Sequence, residues 1–239
     1  MAILEINGNS FLFSLILGFV PVFVWLWFWL KEDIRPEPRS VLLITFFAGM
    51  VAVGFAFLAE NAVLILGQFL QIEKAPLGFA IILLFWAIIE EILKYLAANH
   101  AALKRPCFDE PIDALIYMIT AALGFAALEN LFFLLNIFEG EGFLAGFITG
   151  NLRFLGATLL HTATSAIVGA SIAFSFFHKE NRRRNVIGGI IIASILHFVF
   201  NYFIINMRNG VDILKVFIPL WITIIIIIFI FEKVKRIKK

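Results

Sequence analysis

The chain has little charge and almost no cysteine. Cys107 is the only cysteine, which excludes an intrachain disulfide and leaves the chain silent on an oxidising compartment. Charged residues make up 15% of the 239 positions, against about 25% in soluble domains. No HExxH stands on any predicted helix, so that route to a zinc protease is absent. The first apolar run follows Glu5 rather than a Lys or Arg and is followed by no small-residue cleavage pattern; it reads as a retained span, not a signal peptide.

What is present is apolar surface: 62% hydrophobic residues, with 29 phenylalanines. This composition excludes a soluble globular domain and predicts an all-α, polytopic integral membrane helix bundle forming a single membrane domain over 1–239. Runs long enough to cross a bilayer lie at about Phe11 to Leu30, Val41 to Leu66, Leu77 to Ala97, Ile112 to Ile137, Phe147 to Phe177, Val186 to Asn206 and Val216 to Phe231. They predict about seven transmembrane helices. Basic residues follow every second run: Lys31, Arg35 and Arg39; Lys104 and Arg105; Lys179 and Arg182 to Arg184; Lys233, Lys235, Arg236, Lys238 and Lys239. The other connections hold only Lys74, Arg208 and Lys215. The positive-inside rule then puts the N-terminus outside and the C-terminus in the cytoplasm. Short juxtamembrane clusters of this kind contact lipid headgroups, and no nucleic-acid partner is expected. Trp25, Trp27 and Trp29 are expected to form an interfacial belt at the end of the first span.

The third run holds WAIIEEILKYLAA, with Glu90, Glu91 and Lys94. Three charges near the centre of a span cost about 8–10 kcal/mol on insertion scales, while the run's Leu, Ile and Phe residues return only about 4–7 kcal/mol. This helix needs polar company. Glu90 and Glu91 stand four and three residues before Lys94, so both are expected to reach its ammonium on one face. Paired glutamates beside a cation suit general acid/base work, because each sets the ionisation of the other. The plain structural alternative is a charge-paired anchor for the bundle.

The company lies in the next three runs. Glu129 and Asn130 follow Phe125 in GFAALEN, His161 is near the middle of the fifth run, and His197 and Asn201 share a helical face in LHFVFN. Glu60 either snorkels outward or joins this polar interior, and Arg153 is read as snorkelling. Gly142, Gly146 and Gly150 are read as a small-residue packing stripe. Asp109, Glu110 and Asp113 are read as favourable charges at a helix start. Neutral imidazoles and carboxylates are the usual ligands of a hydrolytic zinc. The same groups equally make a metal-free site, in which a glutamate activates water and His with Asn stabilises the oxyanion.

With these residues placed, the chain resembles the PrsW family of intramembrane proteases. The family's EExxK motif stands as Glu90, Glu91 and Lys94, and its FxxxEN motif as Phe125, Glu129 and Asn130. Its single-histidine helix is similar to Arg153, His161 and Gly169, and its final helix to His197 and Asn201. The PEP loop at Pro36 to Pro38 and the DEPID segment at Asp109 to Asp113 match as well. The family is distantly similar to the CAAX prenyl endopeptidase and bacteriocin-immunity group, from which this chain departs at Lys94, one residue earlier than that group's arginine, and at Glu129, which stands for a histidine.

The resemblance implies an intramembrane endopeptidase of the prokaryotic plasma membrane, with its catalytic core at about 77–206. Its partners would be the lipid bilayer and a membrane-anchored protein substrate, such as an anti-sigma factor. On this reading Glu90 or Glu91 activates water. His161 and His197 bind a metal or stabilise the oxyanion, with Glu129 as a third ligand of a Zn2+ ion. Lys94, Asn130 and Asn201 support them. Two rivals remain: a proton-coupled transporter or channel, and a silent scaffold. Against the transporter stand the lack of matched halves and the expectation that the polar spans are unbroken.

Overall fold

Leu, Ile, Phe and Val fill runs too long and too apolar for anything but membrane helices, whose backbone groups satisfy one another internally. The structure, a computed structural model, describes residues 7–206 and 210–237. Glu5, Arg208, Lys238 and Lys239, used above in reading charge, lie outside the described residues. The helices are α1 (Gly8–Leu30), α2 (Arg39–Phe69), α3 (Pro76–Ala101), α4 (Asp113–Gly140), α5 (Phe143–Leu155), α6 (Ala157–Ala173), α7 (Lys179–Ile205) and α8 (Gly210–Val234). Among the described residues, seven helical segments are long and apolar enough to cross a membrane, with α5 and α6 together forming the fifth. The protein is a polytopic helical bundle.

α4 is its axis. It is buried without interruption from Asp113 to Ala127, and it packs most extensively against α1, α2 and α6. Its sequence explains this: Thr120, Ala121, Ala122, Gly124, Ala126 and Ala127 are small, and small residues let helix backbones approach closely in lipid. The closest crossing is reciprocal. A Cβ on Gly49 of α2 would lie 2.0 Å from the Ala121 carbonyl oxygen, and one on Gly124 of α4 would lie 1.9 Å from that of Phe46. The expected stripe at Gly142, Gly146 and Gly150 does less: Gly146 accommodates the Phe138 ring and Gly150 the Leu17 side chain.

The fifth span departs from expectation. It begins at Phe143, ends at Ala173 and is broken at Gly156, so the polar spans are not all continuous helices. Gly156 takes φ −119° and ψ −78°, far from the ideal helical values of about −63° and −42°. The interruption is one residue long, because Gly156 N–H still donates to the Leu152 carbonyl (2.9 Å) and Leu160 N–H to the Gly156 carbonyl (2.8 Å). The Phe217 ring of α8 packs where a side chain on residue 156 would sit. Arg153 lies just before this break and His161 just after it.

The tryptophans also differ from a simple interfacial belt. Trp27 is exposed, with the Lys31 ammonium 3.5 Å from its ring centroid. Trp29 is fully buried and stacks on Phe231 of α8, while Trp25 packs against Phe154 and Trp221. An indole beside another helix gains more contact than one left at the headgroups. The PEP loop and the DEPID segment meet at this same end. The Tyr117 hydroxyl donates to Glu37, Arg35 pairs with Glu110, and Asp113 Oδ2 accepts from the Asp109 and Glu110 amides at 2.9 and 2.7 Å. Burial pushes the Asp33 and Glu37 carboxyls above their ordinary range.

Gly124→Ala tests the central crossing. Forcing α2 from α4 lowers unfolding free energy in detergent by about 1–3 kcal/mol. Gly54→Ala, where a Cβ meets nothing within 4 Å, stays within about 0.5 kcal/mol of the parent. Equal effects of the two substitutions contradict this packing.

Candidate active site

The α3 helix sets three charges on its inner face, and the structure separates their roles. Glu91 and Lys94 are wholly buried and paired, Nζ to Oε1 at 2.5 Å. Glu90, expected to share that ammonium, does not pair with it: its Oε2 lies 3.7 Å from His197 Nε2 and 3.8 Å from His161 Nδ1. The reason is helical rotation. Adjacent residues are about 100° apart around the axis, so the two glutamates flank Lys94 on opposite sides; Glu91 takes the ammonium and Glu90 is turned toward the imidazoles of α6 and α7.

Glu91 Oε1 is shared. It also takes His197 Nδ1 at 2.7 Å, which leaves His197 Nε2 facing Glu90. A carboxylate on one imidazole nitrogen fixes the tautomer and aims the other. His161 is engaged at both nitrogens, with Lys94 Nζ 3.1 Å from Nδ1 and Glu129 Oε2 2.7 Å from Nε2. Lys94 has no acceptor capacity, so it donates to Nδ1 and the ring proton lies on Nε2. The two imidazoles sit edge to face, with centroids 5.2 Å apart. Phe125 closes one side, 5.6 Å from the His161 ring and 5.5 Å from the Lys94 ammonium.

Glu129 and Asn130 depend on a residue that sequence reasoning placed elsewhere. Arg153 is turned inward: Nη2 donates to Glu129 Oε1 at 2.8 Å and Nε to Asn130 Oδ1 at 2.5 Å. Its guanidinium also lies over the Phe133 ring. Asn130 then donates to Thr158 Oγ1 at 3.1 Å. The missed signal was present, since a cation inside a span needs a partner and Glu129 is a carboxylate with no cation on its own helix turn. Asn130 therefore holds Arg153 and α6. Asn201 lies one helical turn beyond His197, partly exposed, with no hydrogen bond to another described residue. Glu60 is half-buried and lines a cavity with Glu129.

The acidic oxygens have more capacity than the protein uses. Glu90 Oε2 and Glu91 Oε2 are buried without a hydrogen-bond partner among the described residues, while Glu129 Oε2 has His161 Nε2 at 2.7 Å. Ligand atoms of Glu90, His161 and His197 all lie within 4.8 Å of one another, and two imidazoles with a carboxylate form a known hydrolytic zinc set. The donor set fits a divalent metal in composition and reach. Glu90 and His197 Nε2 are available as they stand, while His161 must first give up Lys94. The expected triad of His161, His197 and Glu129 is grouped differently, with Glu90 beside the histidines and Glu129 taken by Arg153.

Arg153 and Glu129 behave as a unit on this geometry. In a double-mutant cycle with Arg153→Leu and Glu129→Gln, unfolding in detergent gives a coupling of about 0.5–3 kcal/mol. Additive effects contradict the pairing.

Comparison with known proteins agrees with this arrangement. The family model for the PrsW family intramembrane metalloprotease matches residues 37–231, a range that contains every residue of the cluster. The chain is 28% identical over 179 residues to Protease PrsW of Geobacillus kaustophilus (strain HTA426), covering 75% of this chain and 73% of that protein. It is 26% identical over 189 residues to Protease PrsW of Bacillus subtilis (strain 168), with 77% and 79% covered. With Protease PrsW of Clostridioides difficile (strain 630) the identity is 28% over 212 residues, with 86% of each covered. No solved structure gives a significant match. The relatives are named as proteases, and the transporter reading finds no support among them. Seven spans, buried glutamates and histidines on α3, α4, α6 and α7, and a match across most of the chain lead to one conclusion: this chain belongs to the PrsW family and is an intramembrane protease of a prokaryotic plasma membrane.

Proposed function

We propose that the protein hydrolyses a peptide bond in a membrane-anchored protein, with Glu90 as the group that activates water. One observation carries this: Glu90 Oε2 is buried, has no hydrogen-bond partner, and faces both imidazoles at 3.7 and 3.8 Å. Glu91 is spent on Lys94 and His197, and Glu129 on Arg153 and His161. Only Glu90 is left to take a proton from water and return it to the leaving amine.

His197, oriented by Glu91, presents Nε2 to the same space. His161, with Nδ1 on Lys94 and Nε2 on Glu129, would donate to a developing oxyanion only on releasing one of these partners. Asn130 positions Arg153, and Asn201 extends the His197 face toward the substrate. If zinc binds, Glu90, His161 and His197 would hold it, with Glu129 next to His161; Glu90 would then serve as a ligand, and the metal rather than a free Glu90 would activate the water by lowering its pKa to about 7 and would polarise the scissile carbonyl. The catalytic core is about 77–206, on α3 to α7, and the basic clusters orient the bundle with its N-terminus outside and its C-terminus in the cytoplasm. The resemblance supports a single-span regulatory substrate such as an anti-sigma factor.

The test uses purified protein in proteoliposomes and a single-span reporter tagged at both ends. Glu90→Gln lowers cleavage by a factor of about 100 or more with no fall in the unfolding midpoint. Cleavage at the parent rate overturns the assignment. Zinc content, measured beside activity with and without chelator, decides the metal. One equivalent of zinc with chelator-sensitive cleavage supports it, and full activity in a metal-free sample removes it.

A further inference from the structure

Glu60 is an intramembrane carboxyl that the hydrolytic cluster does not use. It stands in α2, half-buried, and no other described residue donates a hydrogen bond or forms an ion pair with its carboxyl group. Its place is fixed nonetheless, since Trp86 Nε1 of α3 donates to the Glu60 backbone carbonyl at 3.1 Å. A carboxyl at this depth is costly unless something pairs with it. The intramembrane cations Lys94 and Arg153 are committed, Lys94 to Glu91 and Arg153 to Glu129. A charged Glu60 therefore has no partner among the described residues, and a cation brought by another molecule would supply one.

The cavity around Glu60 shows where that partner enters. It lies between α2 and α4 and has a volume of 920 Å³. Val53, Ala56, Phe57, Phe125, Phe132 and Phe133 form apolar walls, and Glu60, Glu129 and Asn136 supply the polar atoms. Phe57 and Phe132 are 65% and 56% exposed, on a surface that faces hydrocarbon. At the inner end Glu129, one wall of the cavity, lies 2.7 Å from His161 Nε2, so the cavity abuts the candidate active site through that side chain. A second groove, between α3 and α7, is lined by Ile88, Ile191 and Ile195 and carries no charged group.

We propose that this α2–α4 cleft seats the membrane segment of the substrate, and that Glu60 selects a segment bearing a Lys or Arg close to the scissile bond. The inference rests on the proposed proteolysis and adds its entry route and specificity. An acyl chain would fill the apolar walls but brings no donor to Glu60. A peptide segment with one cationic side chain satisfies both, its stem along the aromatic walls and its head on the carboxyl group. Glu129 is already neutralised by Arg153, so the selecting charge is Glu60.

The probe is a single-span reporter with a Leu/Ala membrane segment, carrying Lys, Gln or Glu at one position. The parent protein in proteoliposomes cleaves the Lys reporter at least about tenfold faster in kcat/KM than the Gln reporter, as one desolvated charge pair predicts. Glu60→Gln abolishes that preference, and Glu60→Lys reverses it toward the Glu reporter. Gly188→Trp, on α7 where a Cβ meets nothing within 4 Å, keeps the parent's preference. Equal cleavage of Lys and Gln reporters, or a Lys preference that survives Glu60→Gln, overturns the proposal.

A binding arm separates the two readings. With Glu90→Gln to prevent turnover, a photoreactive residue in place of Phe57 captures the Lys reporter, and one in place of Ile191 does not. Capture by Ile191, or capture of only lipid or a second copy at Phe57, overturns the seat. If the parent cleaves no reporter while Phe57 still captures the Lys form preferentially, the seat stands and proteolysis fails.

Discussion

The ion pair between Lys94 and Glu91 is the constraint on which the rest depends. Both side chains are wholly buried, in a helix whose apolar residues cannot offset three uncompensated charges. Removing one partner of such a pair typically costs about 3–5 kcal/mol, because the other is left charged and dry. The pair also does more than neutralise. Glu91 aims His197 and Lys94 donates to His161, so one ion pair on α3 fixes imidazoles on α6 and α7. Arg153 and Glu129 repeat the device between α5 and α4. With both pairs closed, Glu90 is the carboxyl beside the two imidazoles that is left to act.

These contacts need helices held at close and definite separations. α4 provides them through small residues, with Gly49 and Gly124 bringing its backbone against that of α2. The break at Gly156 serves the same end: it lets α5 aim Arg153 at Glu129 and Asn130 while α6 aims His161 at Lys94. At one end of the bundle the buried carboxyls of the PEP loop and the DEPID segment join the entry to α2 to the entry to α4. The wall of the substrate cleft proposed here, α2 against α4, is thus anchored at the level of its glycines and at the PEP loop.

Much of this was legible in the sequence, for physical reasons. A bilayer imposes a length and a hydropathy on each span, so seven spans emerged from runs of Leu, Ile, Phe and Val. The same medium makes Glu90, Glu91, Lys94, Glu129, His161 and His197 conspicuous, because charge there needs company. What was not legible depends on rotation and on single residues. A hydropathy window averages over Gly156 and cannot register a one-residue break. Whether Arg153 turns to lipid headgroups or to Glu129 depends on that break, and snorkelling was the wrong choice. Residue type does not reveal that Phe231, some two hundred positions after Trp29, packs against it. The different roles of Glu90 and Glu91 follow from 100° of helical rotation relative to neighbours whose positions only the fold supplies.

The central claim is that the buried charges close in pairs and leave Glu90 over. Its most direct test is the unfolding free energy in detergent of Glu90→Gln, Glu91→Gln and the double variant Glu91→Gln with Lys94→Met. The account predicts that Glu91→Gln is destabilising by about 3–5 kcal/mol, that adding Lys94→Met recovers most of that loss, and that Glu90→Gln is neutral or stabilising because it removes an unpaired buried carboxyl. Equal destabilisation by Glu90→Gln and Glu91→Gln, with no recovery in the double variant, would contradict it.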